Sequence, residues 1–409
     1  MNTLTLKVIL TQSLPVVFMA AAGVLLILFW VRYFAPATPD QSTKTAPASI
    51  GTVALFVASW FAVSRLMILA VSVIAMGGAA FDFEVWTRWD ADHYLGLAEH
   101  WYQNEGDPRL HIVFYPLYPL AVRALKTLLM GHTALAAYLI SNACLIGSGY
   151  ALFRLVAIDQ GEPAAQRAVR YLMLCPVSLF FSLPYSESLF LMLALLSVLM
   201  ARRGQMLLAI LFGALASSAR MLGLLCAVPV FYEYFRRSRS DWRGIARGFA
   251  CTCLIATGFF AYLLLNKMIT GDWFRFLTYQ REHWSQQFGS LGNSVKYTIQ
   301  NAFSPSSEGA RYGIWLPQIV AMTAVLTLMI TTARRQHPAD AAYALLYYYI
   351  ALAPTWLLSG PRYLGALYAL YPMLSLITRR KWQDAALTSA LILGTIYCTY
   401  QYAFAGTMF

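Results

Sequence analysis

Charge is scarce in this 409-residue chain. Only 12% of its residues are Asp, Glu, Lys or Arg, against about 25% in an average soluble domain. The shortage excludes an ordinary soluble globular protein, and a hydrophobic share of 59% with a mean hydropathy of +0.57 takes its place. Cysteine is scarce too. The six (Cys144, Cys175, Cys226, Cys251, Cys253, Cys398) all fall inside apolar runs. Cys251 and Cys253, two apart, point about 200° apart on a helix and cannot share a metal. The set reads as small buried hydrophobes. Long basic tracts are also missing. The net charge of +12 comes from short clusters between apolar runs: Arg236, Arg237, Arg239, Arg243 and Arg247, then Arg334 and Arg335, then Arg379, Arg380 and Lys381. That spacing argues against a nucleic-acid face and matches the Arg/Lys bias of cytoplasmic loops.

What is present is a series of about twelve apolar runs, near 12–33, 52–77, 113–130, 132–157, 165–183, 186–201, 206–232, 248–268, 313–333, 341–358, 364–378 and 385–405. Runs of this length predict an all-α polytopic membrane protein of about 12 transmembrane helices. A polar Pro/Ala/Thr segment at 35–49 separates the first run from the rest. This divides the chain into residues 1–50, an extra helix with its linker, and 51–409, the main transmembrane body. If the basic clusters are cytoplasmic, counting spans puts 78–112, 269–312 and 359–363 outside. Pro176 and Pro184 predict a broken or re-entrant helix within 165–201. Arg202 and Arg203 fall outside on this count, which sits poorly with the rule. Arg123 and Lys126 fall near a cytoplasmic end, as anchors.

The first outer loop concentrates what charge there is. Asp82, Glu84, Asp90, Asp92, Glu99, Glu105 and Asp107 put seven of eighteen carboxylates within 26 residues. Trp86, Trp89, Tyr94, Trp101 and Tyr102 are interleaved with them, as in a helix lying at headgroup level. A helix over 86–102 puts Asp90, His93, Tyr94 and Trp101 on one face, with Asp92 and Glu99 on another. Two carboxylates at i and i+2 converge on a metal only if Asp90 precedes the helix in extended form. A single aspartate acting as general base is the simpler chemistry. No metal ligand set is assigned and no cofactor is expected.

The stretch "RWDADHYLGLAEHWY" (88–102) followed by "FYPLYPL" (114–120) resembles the PIG-V-like family of GT-C glycosyltransferases. That family includes the eukaryotic enzyme that adds the second mannose to GPI anchors, together with prokaryotic relatives. Leu97 and Trp101 stand where the family usually has Ile and Gly. "CPVSLFFSLPYSESLF" (175–190), "GALASSARMLGLL" (213–225), "YQREHW" (279–284) and "GPRYL" (360–364) continue the resemblance in the family's order. Residues 1–50 fall outside it.

The resemblance implies transfer of a hexose, mannose first, from a polyprenyl-phosphate carrier to an extracytoplasmic lipid or glycan acceptor, with inversion. It implies an integral membrane enzyme, of a bacterial inner membrane for a prokaryotic member. It makes Asp90 the base that deprotonates the acceptor, with Asp92 as second choice or as a residue positioning the sugar. His93, one turn from Asp90, orients it, binds sugar hydroxyls or serves only in packing. His111, Glu99 and His100 are weaker candidates. Arg362, at the outer end of a span, suits a carrier phosphate or snorkels to the headgroups. Arg220 falls in the middle of its apolar run, an expensive place for a charge, with Glu187 as the expected partner. Arg65 is similarly embedded but outside any family motif. Gln280, Trp284, Trp89 and Tyr94 complete the substrate-binding set, although the aromatic run that holds Trp284 reads first as an interfacial helix and second as a sugar-stacking wall. The buried Arg220 and Glu187 also fit a rival reading, a transporter or lipid flippase with a gated path. The clustering of acids in one outer loop and the lack of an inverted repeat count against it.

Overall fold

In hydrocarbon no water reaches the backbone, so an apolar run that crosses it must close its own hydrogen bonds as a helix. The computed structural model describes residues 3–35, 48–238, 241–304 and 306–405. Arg239 and most of the polar linker, 36–47, lie outside the described residues. Among the described residues the chain is helical, with one isolated antiparallel bridge between Phe288 and Pro354 and no strand. Five continuous stretches are long and apolar enough to cross a bilayer: Lys7–Phe34, Ile50–Phe81, Thr133–Gln160, Trp242–Thr270 and Glu308–Thr332. The protein is an all-α integral membrane protein.

The helices are α1 (Thr3–Phe34), α2 (Ile50–Met76), α3 (Asp90–His100), α4 (Leu117–Leu128), α5 (Thr133–Gln160) and α6 (Glu162–Met173). Next come α7 (Glu187–Arg202), α8 (Met206–Ala219), α9 (Ala227–Arg237), α10 (Trp242–Cys253), α11 (Thr257–Thr270), α12 (Arg275–Trp284) and α13 (Leu291–Phe303). A single turn, α14 (Glu308–Ala310), precedes α15 (Leu316–Thr332), α16 (Pro338–Leu352), α17 (Gly360–Gly365), α18 (Leu370–Ile377) and α19 (Lys381–Tyr400). Helix α7 sits near the middle, almost wholly buried against α5 and α8. It carries Glu187 at one end and Arg202 at the other, about 22 Å apart at 1.5 Å per residue. Each of these two ends of the bundle gathers a cluster of buried charge.

Where the apolar pattern is interrupted, a side chain from elsewhere meets the freed backbone. Helix α6 stops at Met173, and residues 174–186, with Pro176 and Pro184, are not helical. Arg65 of α2 reaches across and donates to Ser178 O (2.9 Å), Ser178 Oγ (3.0 Å), Met173 O (3.4 Å) and the Ser182 hydroxyl. The embedded Arg65 therefore serves the fold, by supplying donors to the broken element.

Three features differ from the sequence reading. The run 206–232 is two segments rather than one, folding back at Arg220, whose backbone is extended (φ −157°, ψ 147°). Gly223 permits this, since a Cβ there would overlap the Ala216 carbonyl. Arg220 therefore stands at the Glu187 end of the bundle and not in the middle of a span. Helix α4 is 12 residues, about 18 Å, too short for a hydrocarbon core of about 30 Å. Its Arg123 lies over the Trp101 ring and reaches the Glu99 carbonyl, so α4 stays with the acidic loop and Arg123 is no anchor of the opposite end. Arg202 belongs to the basic end: it pairs with Glu233 (3.0 Å), one turn before Arg236 and Arg237, and with Asp340 (2.9 Å) and Asp159 (3.4 Å). Tyr368 donates to Asp340 as well, at 2.9 Å.

Arg202 thus pairs with two buried carboxylates, Glu233 and Asp340, and a less buried one, Asp159, while Arg237 stands 3.8 Å from Glu233 on its other side. Arg202→Met should cost about 3–5 kcal/mol, the penalty for leaving buried charges uncompensated. A melting temperature in detergent close to the wild type's would show that the cluster is solvated and mechanically unimportant.

Candidate active site

The 3₁₀ turn at Glu84–Trp86 and the start of α3 bring the acidic loop back over the bundle. Trp89 makes the bend with a left-handed φ of 53°, a strained conformation for a large side chain. Tyr185 donates to Arg88 O (2.9 Å) and Tyr402 to Trp86 O (2.8 Å), which fixes the bend from below. Asp90 is the first residue of the helix. Its side chain faces a cavity of about 630 Å³, while Asp92, two residues on, is exposed and does not line it. The two carboxylates therefore do not converge, and no group of three metal-ligating side chains occurs among the described residues.

Behind Asp90 runs a chain of ion pairs. Arg362 Nη2 meets Asp90 Oδ2 at 2.6 Å, and Arg362 Nε lies 3.1 Å from Glu187 Oε1. The same Glu187 oxygen is 2.9 Å from Arg220 Nη1. Arg362 is packed among the rings of Tyr185, Phe180 and Tyr363, and Arg220 also lies over Tyr363. Ser186 adds a cross-link, sharing a hydrogen bond with the Tyr94 hydroxyl (2.8 Å) and accepting one from Arg220 (3.1 Å). Glu187 is 1% exposed and Arg362 5%, whereas Arg220 keeps 18% and Asp90 30% of their side chains open. Asp90 and Arg220 are thus the charges that a bound molecule would meet. Arg362 does not snorkel: its head is held inside, between two carboxylates.

The sequence profile of the mannosyltransferase (PIG-V) family matches residues 57–297, more than half of the chain. The chain belongs to the mannosyltransferase (PIG-V) family. It is similar to the mouse (Mus musculus) protein named GPI alpha-1,6-mannosyltransferase 2, 28% identical over 184 residues, covering 41% of this chain and 36% of the mouse protein. The human (Homo sapiens) protein of that name is 30% identical over 154 residues, covering 34% of this chain and 29% of its own length. The chain thus spans about a third of the length of these curated relatives. Its fold resembles that of ArnT from Cupriavidus metallidurans, solved with undecaprenyl phosphate bound, with a TM-score of 0.52 at 14% identity over 88% of this chain and 78% of that one. The two chains share a helical membrane fold.

Around this PIG-V-family core, the cavity has two further walls. One is aromatic and polar: Trp89, His93, Phe114, Trp284, Gln280 and Gln286. The His93 ring is 4.9 Å from Phe114, 5.1 Å from His111 and 6.4 Å from Trp284. The other is apolar, with Ile314, Ile350, Ala351, Pro354 and Leu358. Of the ten site residues expected from sequence, eight line the cavity: Asp90, His93, Tyr94, Trp89, Arg220, Gln280, Trp284 and Arg362. Glu187 stands directly behind them, and Asp92 lies apart.

Sequence reasoning passed over Ser186, Tyr115 and Trp356. Ser186 had a signal, since it sits beside Glu187 in a motif. Tyr115, stacked on Tyr262 at 4.1 Å, also lies inside a family motif. Trp356 had none. Its wall exists because 285–289 pairs with 353–355: Gly289 N donates to Ala353 O (3.1 Å) and Thr355 N to Gln287 O (2.9 Å). Both segments turn through left-handed residues, Ser285 and Trp356, each at φ 51°.

His111 packs beneath α3, where Gly96 leaves room for its ring. Burial, and then the neighbouring His93, lower its pKa from 6.5 to about 4. A histidine kept neutral in the fold takes up a proton more readily when unfolded, so stability holds above pH 6.5 and declines as pH falls toward 4. His111→Gln should flatten that decline. Melting temperatures between pH 7 and 4.5 that fall equally steeply in both proteins would remove His111 from the acid response.

Proposed function

We propose that the protein is a membrane glycosyltransferase that moves a hexose, mannose first, from a polyprenyl-phosphate carrier to a hydroxyl of a lipid or glycan acceptor. The observation that carries this reading is the pairing of Asp90 with Arg362 in a cavity that also presents Arg220. It supplies a carboxylate held in one orientation and a nearby cation still open to a ligand.

In this reading the carrier's phosphate lies against Arg220, whose guanidinium keeps donors free beyond its contact with Glu187. Its prenyl chain runs along Ile314, Ile350 and Leu358. The sugar occupies the aromatic and polar side, with Trp284, Gln280 and His93 against its ring and hydroxyls. Arg362 takes a positioning role in place of the phosphate-binding role suggested by sequence. It holds Asp90 Oδ2, which leaves Oδ1 without a hydrogen-bond partner among the described residues. The acceptor oxygen attacks the anomeric carbon from the face opposite the phosphate. The bond to the phosphate oxygen breaks with its electron pair, and the hydroxyl proton passes to Asp90. One displacement inverts the anomeric carbon. The arginine clusters at the Arg202 end support a cytoplasmic location for that end. The cavity would then open on the opposite, extracytoplasmic face.

Asp90→Asn should lower transfer about 10²- to 10⁴-fold, the usual worth of a general base, with carrier binding kept. Asp92→Asn should stay near wild type, and Arg220→Gln should chiefly raise the KM for the donor. The assay follows labelled mannose from polyprenyl-phosphate-mannose into a lipid extract of the source cells. Near-normal turnover by Asp90→Asn would reject the base assignment.

A further inference from the structure

The polar wall of the cavity carries two side chains that the fold itself does not use. Gln280 and Gln286 both line it, and neither side-chain amide has a hydrogen-bond partner among the described residues. The end of α12 sets the two close together. Ser285 is left-handed, as at many helix ends, and its N–H and that of Gln286 (3.0 Å) both turn back to Gln280 O. Thr355 pins this turn from the facing segment: its hydroxyl donates to Ser285 O (3.0 Å) and accepts from Gln287 N (3.0 Å). The backbone beneath both amides is therefore fixed before anything binds.

The same wall is free of fixed charge. Arg281 and Glu282, which lie between the glutamines in sequence, are exposed and do not line the cavity, whereas Gln280 and Trp284, one helical turn apart, do. Of the Asp, Glu, Lys and Arg side chains among the described residues, only Asp90, Arg220 and Arg362 line it, and Asp90 and Arg362 face each other at 2.6 Å. A sugar bearing an ammonium group would lose its water here and meet no carboxylate except the one that Arg362 already holds. A sugar bearing a carboxylate would compete with the carrier's phosphate for Arg220. Uncharged hydroxyls, each a donor and an acceptor, match primary amides, which are both as well. Trp284, and Trp356 on the paired segment, add rings against which the apolar C–H face of a sugar can pack.

We propose that Gln286, together with Gln280, reads the hydroxyls of the transferred sugar and restricts the enzyme to uncharged hexoses. Gln286 is in this sense a specificity-determining residue. The inference rests on the transfer reaction proposed above.

The test compares kcat/KM of the purified full chain for polyprenyl-phosphate-linked mannose, for monodeoxy-mannoses that each lack a different hydroxyl, and for an amino-mannose. Wild type should use at least one deoxy sugar about tenfold less well than mannose, the worth of one hydrogen bond. It should use the amino sugar about a hundredfold less well. Gln286→Leu should lower transfer of mannose about tenfold and leave that deoxy sugar unchanged, because the missing hydroxyl and the missing amide are one interaction. Its melting temperature should hold, since the amide bonds to no described residue. A structural role would lower every donor by the same factor, and that result would overturn the proposal. So would a Gln286→Leu enzyme that keeps the wild-type pattern, or a wild type that is indifferent to every missing hydroxyl or to the amino group. Wild type that transfers none of these sugars would instead remove the transfer reaction itself, and this inference with it.

Discussion

A carboxylate withdrawn from water keeps its charge only where cations stand against it, and Glu187 is met by two. One comes from the fold-back between α8 and α9, the other from α17, and the second of these reaches on to Asp90 at the start of α3. Four residues spread over 272 positions of sequence are thereby held in one row. The placement of the cavity follows from that row. Arg220 can join it only because the chain reverses at Gly223, and Glu187 only because the segment before α7 is broken and braced by Arg65. Without the carboxylate, a buried guanidinium and a partly open one would face each other with no anion between them.

The other end of α7 solves the same problem with the signs exchanged: one arginine stands among three carboxylates. A helix of 16 residues thus carries a buried charge of opposite sign at each end, and the apolar length between them holds the two clusters a fixed distance apart. Because those charges find partners on α5, α9, α16 and α17, the helix cannot slide along its axis without breaking both sets of contacts.

Much of this was legible in the sequence, and the reasons differ from part to part. Apolar runs announce helices because hydrocarbon allows little else, and the acidic loop stood out because carboxylates are rare elsewhere. Asp90, His93, Arg220, Glu187 and Arg362 were readable because each sits in a short motif. Their pairing was only half readable: Glu187 with Arg220 was foreseen, but nothing local links Arg362 to Asp90. The fold-back at Arg220 was missed because apolar composition looks the same in one long helix and in two short ones. Only Gly223 marks the difference, and its role is visible only against the Ala216 carbonyl. Trp356 was invisible for a similar reason, since the pairing of 285–289 with 353–355 has no signature in either segment.

The contact between Arg362 and Asp90 has a consequence for charge during the proposed transfer. Before reaction, Asp90 and Glu187 carry two negative charges and Arg220 and Arg362 two positive ones, so the row is neutral. When the acceptor's proton reaches Asp90, that carboxylate loses its charge at the moment the departing phosphate gains one. The total is unchanged, and the negative charge has moved from one side of the arginine pair to the other. Arg362 keeps its contact with Glu187 while the phosphate lies against Arg220. One arginine would in this way attend the base and the other the leaving group, so that the low-dielectric interior never has to absorb a change in net charge.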